Sequence, residues 1–270
     1  MNGYQLKDGT VIPPIGFGNY NSFGQEEIDA VSWALEAGYR YIDSAACYKN
    51  EKEVGEAWRT SGVKREELFL LSKLWPTDYR GVRRALEKTL EELGTDHLDA
   101  YLIHWPGTDE DLRLEVYRQL TELRDEGLFK TLGVSNFQPD QMERIFEVFG
   151  EYPLINQMEC HPSFQQKAIS DYCRGRGIQV IDYRPINRGA YQSDPTIGAL
   201  AEKYGKTPQQ IVLRWHVEHA QVPIPKSANR KRIAENFAVF DFELTPDEVA
   251  FIDSLETGVR AGTDPFTFNG

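Results

Sequence analysis

Three ionisable side chains recur at one repeat distance in this sequence. Asp43, Lys73 and His104 close the short apolar runs RYID, LFLLS and AYLI at intervals of 30 and 31 residues, and Ser135 and Asn136 follow TLGV after a further 31. Singly, each has an ordinary explanation: Asp43 as a helix cap, Lys73 as a solvated cation, His104 as a buried, satisfied histidine. Together at the ends of successive units, with Tyr48 nearby, they point to a shared site. A free tyrosine, with a pKa near 10, is a poor proton donor at neutral pH. An adjacent ammonium favours the phenolate, so Lys73 is expected to lower the Tyr48 pKa and activate it. A desolvated lysine sheds its proton unless a carboxylate holds it charged, and Asp43 fits that role. His104 can hydrogen-bond a substrate oxygen and orient it, leaving proton donation to Tyr48. Such a set polarises and protonates a carbonyl. No side chain supplies a hydride, so a redox cofactor is required.

Side chains gathered in this way need a scaffold with one common rim. Eight apolar runs, IGFG, RYID, LFLLS, AYLI, TLGV, LINQ, IQVIDY and QVPIP, read as strands. Amphipathic stretches lie between them, among them EEIDAVSWALEAG, YRGVRRALEKTLEELG, LRLEVYRQLTELRDEG and TPQQIVLRWHVEHA. Alternation of this kind marks βαβ units, and eight units are the number at which a parallel sheet closes on itself. The expected fold is an α/β (β/α)8 TIM barrel, a single domain over residues 1–270. An N-terminal β-hairpin, YQLKDGTVIP turning at Asp8-Gly9, is expected to plug one end. Barrel chemistry sits at the carboxyl ends of the strands, which adds Gln157, Tyr183, Lys226 and Ser227 to the rim. Pro223 and Pro225 cannot donate to a central ladder, so the eighth strand should be short and irregular.

Composition excludes several functions. A formal net charge of −12 argues against a nucleic-acid partner. No run of roughly 18 apolar residues suggests a membrane span. The opening MNGYQLKDGT has neither a basic nor an apolar leader region, and a cytoplasmic protein is expected. Cys47, Cys160 and Cys173 lack zinc-site or disulfide spacing and read as reduced thiols. No interface signal stands out, and a monomer is expected.

These segments, taken in order, resemble the aldo-keto reductases over essentially the whole chain. GYRYIDSAACYKNE, LLSKLW and LIHWP are similar to the family segments that carry its catalytic aspartate and tyrosine, lysine and histidine, here Asp43, Tyr48, Lys73 and His104. GVSNF, INQMECHP and IPKSANRKRIAEN resemble its cofactor segments. The resemblance implies reduction of a small-molecule aldehyde or ketone, such as an α-dicarbonyl or keto-sugar acid, by NADPH. It implies that Ser135, Asn136 and Gln157 bind the nicotinamide carboxamide and that Tyr183 stacks on the nicotinamide. Lys226, Ser227 and Arg232 would hold the 2′-phosphate, and Glu235 and Asn236 would contact adenine. The short segments after His104 and after Asn187, and the short C-terminal tail, look most similar to the bacterial 2,5-diketo-gluconate reductase branch. Lys226, Arg230, Lys231 and Arg232 also crowd four cations at a helix start, which opposes the helix dipole unless an anion binds there.

Tyr20, Trp75 and Trp105 follow the first, third and fourth strands and are expected to wall an apolar substrate pocket. Cys47 either faces that pocket or packs in the core. Some positions depart from the family pattern. Arg184, Ile186 and Asn187 follow Tyr183 where the family carries a small residue and then Pro-Leu-Gly, and Lys49 and Asn19 replace small residues. Arg184 is therefore expected near the cofactor pyrophosphate. Two other readings are weaker. A metal-dependent hydrolase lacks paired histidine ligands among the five histidines, and a non-catalytic NADPH sensor has no need of Asp43, Tyr48, Lys73 and His104 together.

Overall fold

In the computed structural model, which describes residues 3–265, 267 and 268, strands and helices alternate as the sequence implies. Strands β1 (Tyr4–Gln5) and β2 (Val11–Ile12) form the antiparallel hairpin. They are followed by β3 (Phe17–Gly18), β4 (Tyr41–Asp43), β5 (Phe69–Leu74), β6 (Leu98–Ile103), β7 (Phe129–Ser135), β8 (Ile155–Glu159), β9 (Gln179–Tyr183) and β10 (Val222–Pro223). Among the described residues the α-helices are α1 (Gly24–Ala37), α2 (Glu51–Thr60), α3 (Val82–Leu93), α4 (Glu110–Asp125), α5 (Pro139–Phe149), α6 (Lys167–Arg176), α7 (Pro195–Tyr204), α8 (Pro208–Glu218), α9 (Arg230–Phe237) and α10 (Pro246–Asp253). None is long and apolar enough to cross a membrane.

Strands β3 to β10 pair in parallel, each with the next. Gly16 N donates to Pro223 O (3.0 Å) and Gly18 N to Pro225 O (3.1 Å), which joins the last strand to the first and closes the barrel. The prolines fit because bonding sides alternate along a strand. Ile224 N donates toward β9, to Asp182 O (3.1 Å), while the residues without an N–H face only the seam with β3. Gly18 allows the approach, since a Cβ there would lie 2.8 Å from Ile224 O.

Period-two alternation explains how the barrel positions a site. Tyr41, Phe69, Leu71, Ala100, Leu102, Ile155, Ile181 and Val222 pack together inside, with Leu6 and Ile12 of the hairpin plugging the amino end. Ile42, Leu70, Leu74, Tyr101 and Ile103 belong instead to the layer between strands and helices. Two residues beyond Tyr41, Leu71, Leu102, Ile155 and Ile181 stand Asp43, Lys73, His104, Gln157 and Tyr183. The inward line that is apolar at the bottom thus becomes polar at the carboxyl rim.

The helices end largely where glycine allows, α1 at Gly38 (φ 107°) and α3 at Gly94 (φ 65°). Helix α3 starts at Val82, later than the pattern from Tyr79 suggests. A turn at Pro76–Asp78 intervenes, and the Tyr79 hydroxyl is spent on Trp105 O.

Two buried carboxyls give stability a pH dependence. Burial pushes Glu51 up to about 7, where it accepts bonds from Ser72 Oγ (2.5 Å) and Thr89 Oγ1 (3.1 Å). Burial pushes Glu27, on α1, up to about 8. Folded pKa values above the ordinary 4.5 mean that the native state holds protons the unfolded chain has lost, so stability falls as pH rises toward these values and levels off above them. His104, held neutral by burial, works in the opposite sense only below its ordinary 6.5. The thermal midpoint is therefore expected to drop between about pH 6.5 and 8, and the Glu27→Gln/Glu51→Gln variant should flatten that slope. Equal slopes in wild type and variant, measured by calorimetry across the range, would contradict the assignment.

Candidate active site

The four ionisable residues meet at the carboxyl rim. Asp43, the last residue of β4, accepts from Lys73 Nζ through Oδ1 (2.6 Å), and from Tyr41 OH (2.6 Å) and Gln157 Nε2 (2.7 Å) through Oδ2. Lys73 Nζ donates also to Ser44 O (2.7 Å) and is wholly buried. A desolvated ammonium is thus held by one carboxylate and one carbonyl. A short turn, Ala46–Tyr48, follows β4 and ends at Lys49 in the left-handed region (φ 57°). It swings Tyr48 back over the rim, with Lys73 Nζ 5.3 Å from the ring centroid.

The ammonium of Lys73 does not lower the resting Tyr48 pKa as the sequence suggests. Burial, reinforced by the negative charge of Asp43, drives the phenol pKa well above its ordinary value. The ammonium is already committed to Asp43, so Tyr48 stays a protonated phenol. Burial and the neighbouring ammonium of Lys73 drive His104 well below its ordinary value, leaving a neutral imidazole. Its ring lies edge-on to Tyr48 (5.9 Å) and Trp75 (5.0 Å). Cys47 Sγ sits 3.7 Å from His104 Nδ1, its thiol pushed up to about 12 by burial.

These residues floor a cleft of about 650 Å³ that Tyr20, Cys47, Trp75 and Trp105 help to wall. Cys47 therefore faces the pocket rather than the core. Along one side Ser135 Oγ donates to Gln157 O (2.9 Å), Asn136 Nδ2 to His104 O (3.1 Å), and Tyr183 OH to Asn136 Oδ1 (2.8 Å). Ser135, Asn136, Gln157 and Tyr183 thus form one polar chain that ends on Asp43. Asn19 is buried in the same wall, with its side chain beside the Glu27 carboxyl.

At the far end of the cleft stands Lys226, its nearest carboxylate, Glu26, at 4.0 Å. The four cations of this segment are not equivalent, and of them Lys226 alone lines the cleft. Arg230 pairs with Glu36 (2.8 Å) and Lys231 with Glu235 (3.6 Å), while Arg232 makes no ion pair among the described residues. The start of α9 is also less open than the sequence implies, because Asn229 Oδ1 caps Arg232 N (3.0 Å). Ser227 Oγ accepts from Asn229 N (3.1 Å), Glu235 is half-buried and Asn236 is buried.

Arg184 lines the cleft in the left-handed region (φ 55°), and its Nη1 donates to Ala261 O (3.2 Å). Asn187 and Arg188 are also left-handed, so the stretch after Tyr183 turns tightly. The sequence reading gave the carboxy-terminal tail no place in the site. Gly262, Thr263 and Phe268 line the cleft, and Phe268 stacks on Trp105 (4.2 Å) and meets Trp75 edge-on (5.4 Å). The tail has no periodicity to announce it, and only its aromatic residues hint at a packing role.

Residues 14–257 match the profile of the Aldo/keto reductase family. The methylglyoxal reductase DkgA of Escherichia coli (strain K12) is 44% identical over 268 residues, covering 98% of both chains. A solved aldo-keto reductase from a Medee basin deep-sea metagenome library superposes with a TM-score of 0.94 at 38% identity, covering 97% of this chain and 98% of that one. An aldo-keto reductase of Bombyx mori, solved in complex with NADP, does so with a TM-score of 0.89 at 38% identity, covering 96% and 95%.

Proposed function

The chain belongs to the aldo/keto reductase family, and from that premise we propose that it reduces aldehyde or ketone groups of small metabolites with NADPH, using Tyr48 as general acid. The observation that carries the reading is the convergence of Tyr48, His104 and the buried Lys73–Asp43 pair on one aromatic-walled cleft.

The residues present suit NADPH. The chain Ser135–Asn136–Gln157 and the ring of Tyr183 offer contacts along the cleft, with Lys226 on its lining and Arg232 beyond it on α9 for a 2′-phosphate. When bound, the cofactor supplies the hydride. Tyr48 holds its proton until the carbonyl oxygen gains negative charge, then gives it up, and the nearby Lys73 ammonium stabilises the phenolate left behind. Asp43 holds that ammonium in place through an ion pair of 2.6 Å. His104, neutral, donates a hydrogen bond that orients the oxygen toward Tyr48. Trp75, Trp105 and Phe268 keep water off the reacting carbon. An aromatic-walled cleft that also carries Arg184, Arg188 and Lys226 suits compact carbonyls such as α-dicarbonyls or keto-sugar acids.

The test is NADPH oxidation measured across α-dicarbonyls, keto-sugar acids and aromatic aldehydes. Turnover of any class supports the reading, and no oxidation with a folded, NADPH-binding protein refutes it. Arg184 adds a narrower expectation. If its guanidinium reaches a pyrophosphate oxygen, Arg184→Ser should weaken NADPH and NADH by similar factors, on the order of tenfold each. Unchanged dissociation constants for both would leave Arg184 with its tail carbonyl alone.

A further inference from the structure

Glu159, the last residue of β8, takes no part in the chemistry above, yet it is a fully buried carboxylate. Among the described residues, every partner of its side chain except His161 is on the tail. Oε1 accepts from Ala261 N (2.7 Å), Gly262 N (3.1 Å) and His161 Nε2 (3.2 Å), and Oε2 from Gly262 N (2.9 Å) with Arg260 Nη1 at 3.7 Å. Burial works against its charge, but the bonds from His161 and the two backbone amides outweigh it and hold the carboxyl below its ordinary value. Such an anion is costly to bury unless the groups around it are fixed. The next residues of the tail, Gly262 and Thr263, line the cleft, and beyond them Phe268 covers Trp105.

We propose that Glu159 is a positioning residue that pins the tail across the mouth of the cleft and thereby fixes the wall against which a small carbonyl is held. Its link to substrate rests on the reductase reading above, whereas the pinning itself does not.

The geometry specifies the test. Gly262 N bonds both carboxylate oxygens, so in Glu159→Gln either orientation of the amide turns an NH2 toward that N–H. Volume is preserved and the charge is lost, and with its oxygen in the place of Oε1 the amide keeps only neutral bonds from Ala261 N and Gly262 N, so the clasp is weakened. Gly262→Ala attacks from the other side with Glu159 intact. Its Cβ would meet Glu159 Oε2. It also covers the case in which Glu159→Gln does not fold.

In both variants amide hydrogen exchange at residues 260–263 should accelerate by about tenfold to a hundredfold, with exchange in β5 and β6 unchanged. KM for a small carbonyl should rise roughly tenfold, with kcat changing much less, as expected when binding contacts rather than transition-state contacts are lost. Unchanged exchange at Ala261 and Gly262 overturns the clasp. Faster exchange with an unmoved KM overturns its role in substrate binding. An inactive wild type would count against the reductase reading alone, because the exchange experiment needs no turnover.

Discussion

Tyr48→Phe is expected to cut carbonyl reduction by at least ~10²–10⁴, the range typical of general acid catalysis, while leaving NADPH affinity and folding nearly intact. The ring packs edge-on against Tyr20 (5.1 Å) and His104 (5.9 Å), contacts that phenylalanine keeps. What it loses is the proton. Because burial and Asp43 hold the phenol pKa high, the wild-type donor stays loaded through neutral pH, and no other described group stands in the same relation to Lys73. Single-turnover kinetics with saturating NADPH isolate the step. Near-full activity in a folded variant would remove Tyr48 from the role and return attention to His104.

The second large effect is expected in cofactor choice. Neutralising Lys226 and Arg232 together, as Lys226→Met/Arg232→Gln, should weaken NADPH strongly and NADH little, because NADH lacks the 2′-phosphate. A desolvated charge-assisted bond contributes about 1.5–3 kcal/mol, and the exposed guanidinium of Arg232 less, so the combined loss should be at least about tenfold in Kd. Arg230 and Lys231 already face Glu36 and Glu235, which makes them poor substitutes. Added salt should likewise weaken NADPH more than NADH in the wild type. Trp75 and Trp105 line the cleft and give a fluorescence readout for all four titrations. Equal wild-type affinity for the two cofactors would dismiss the phosphate assignment.

Both expectations depend on residues that were legible before the structure, and the reason is local. Asp43, Lys73, His104, Gln157 and Tyr183 each extend an inward-facing alternation by one step, so strand pattern alone carries them to the rim. The family motifs led to the same residues by a separate route. Balances between distant groups were not legible. The state of Tyr48 is set by burial and Asp43 against an ammonium already spent, a competition that no motif encodes. The split of the basic cluster depends on Glu36, nearly two hundred residues earlier in the chain. The tail's place in the site was missed for the same reason: the clasp pairs Glu159 with Ala261 and Gly262 about a hundred residues on, in a stretch with no period to read.

The barrel seam bears on how the chain is made. Gly16 and Gly18 find their acceptors only on Pro223 and Pro225, so the first barrel strand leaves the ribosome long before its closing partner exists. At roughly 5–20 residues per second, about 200 residues of synthesis take roughly ten to forty seconds. Throughout that interval one edge of a growing parallel sheet has unpaired backbone groups, an invitation to pair with a neighbouring nascent chain. Its brevity, two residues in β3, limits how much edge another chain can grip. The prolines that make the last strand a poor ladder also make it a poor template, so a ring that closes late closes between two ends that do little harm while they wait.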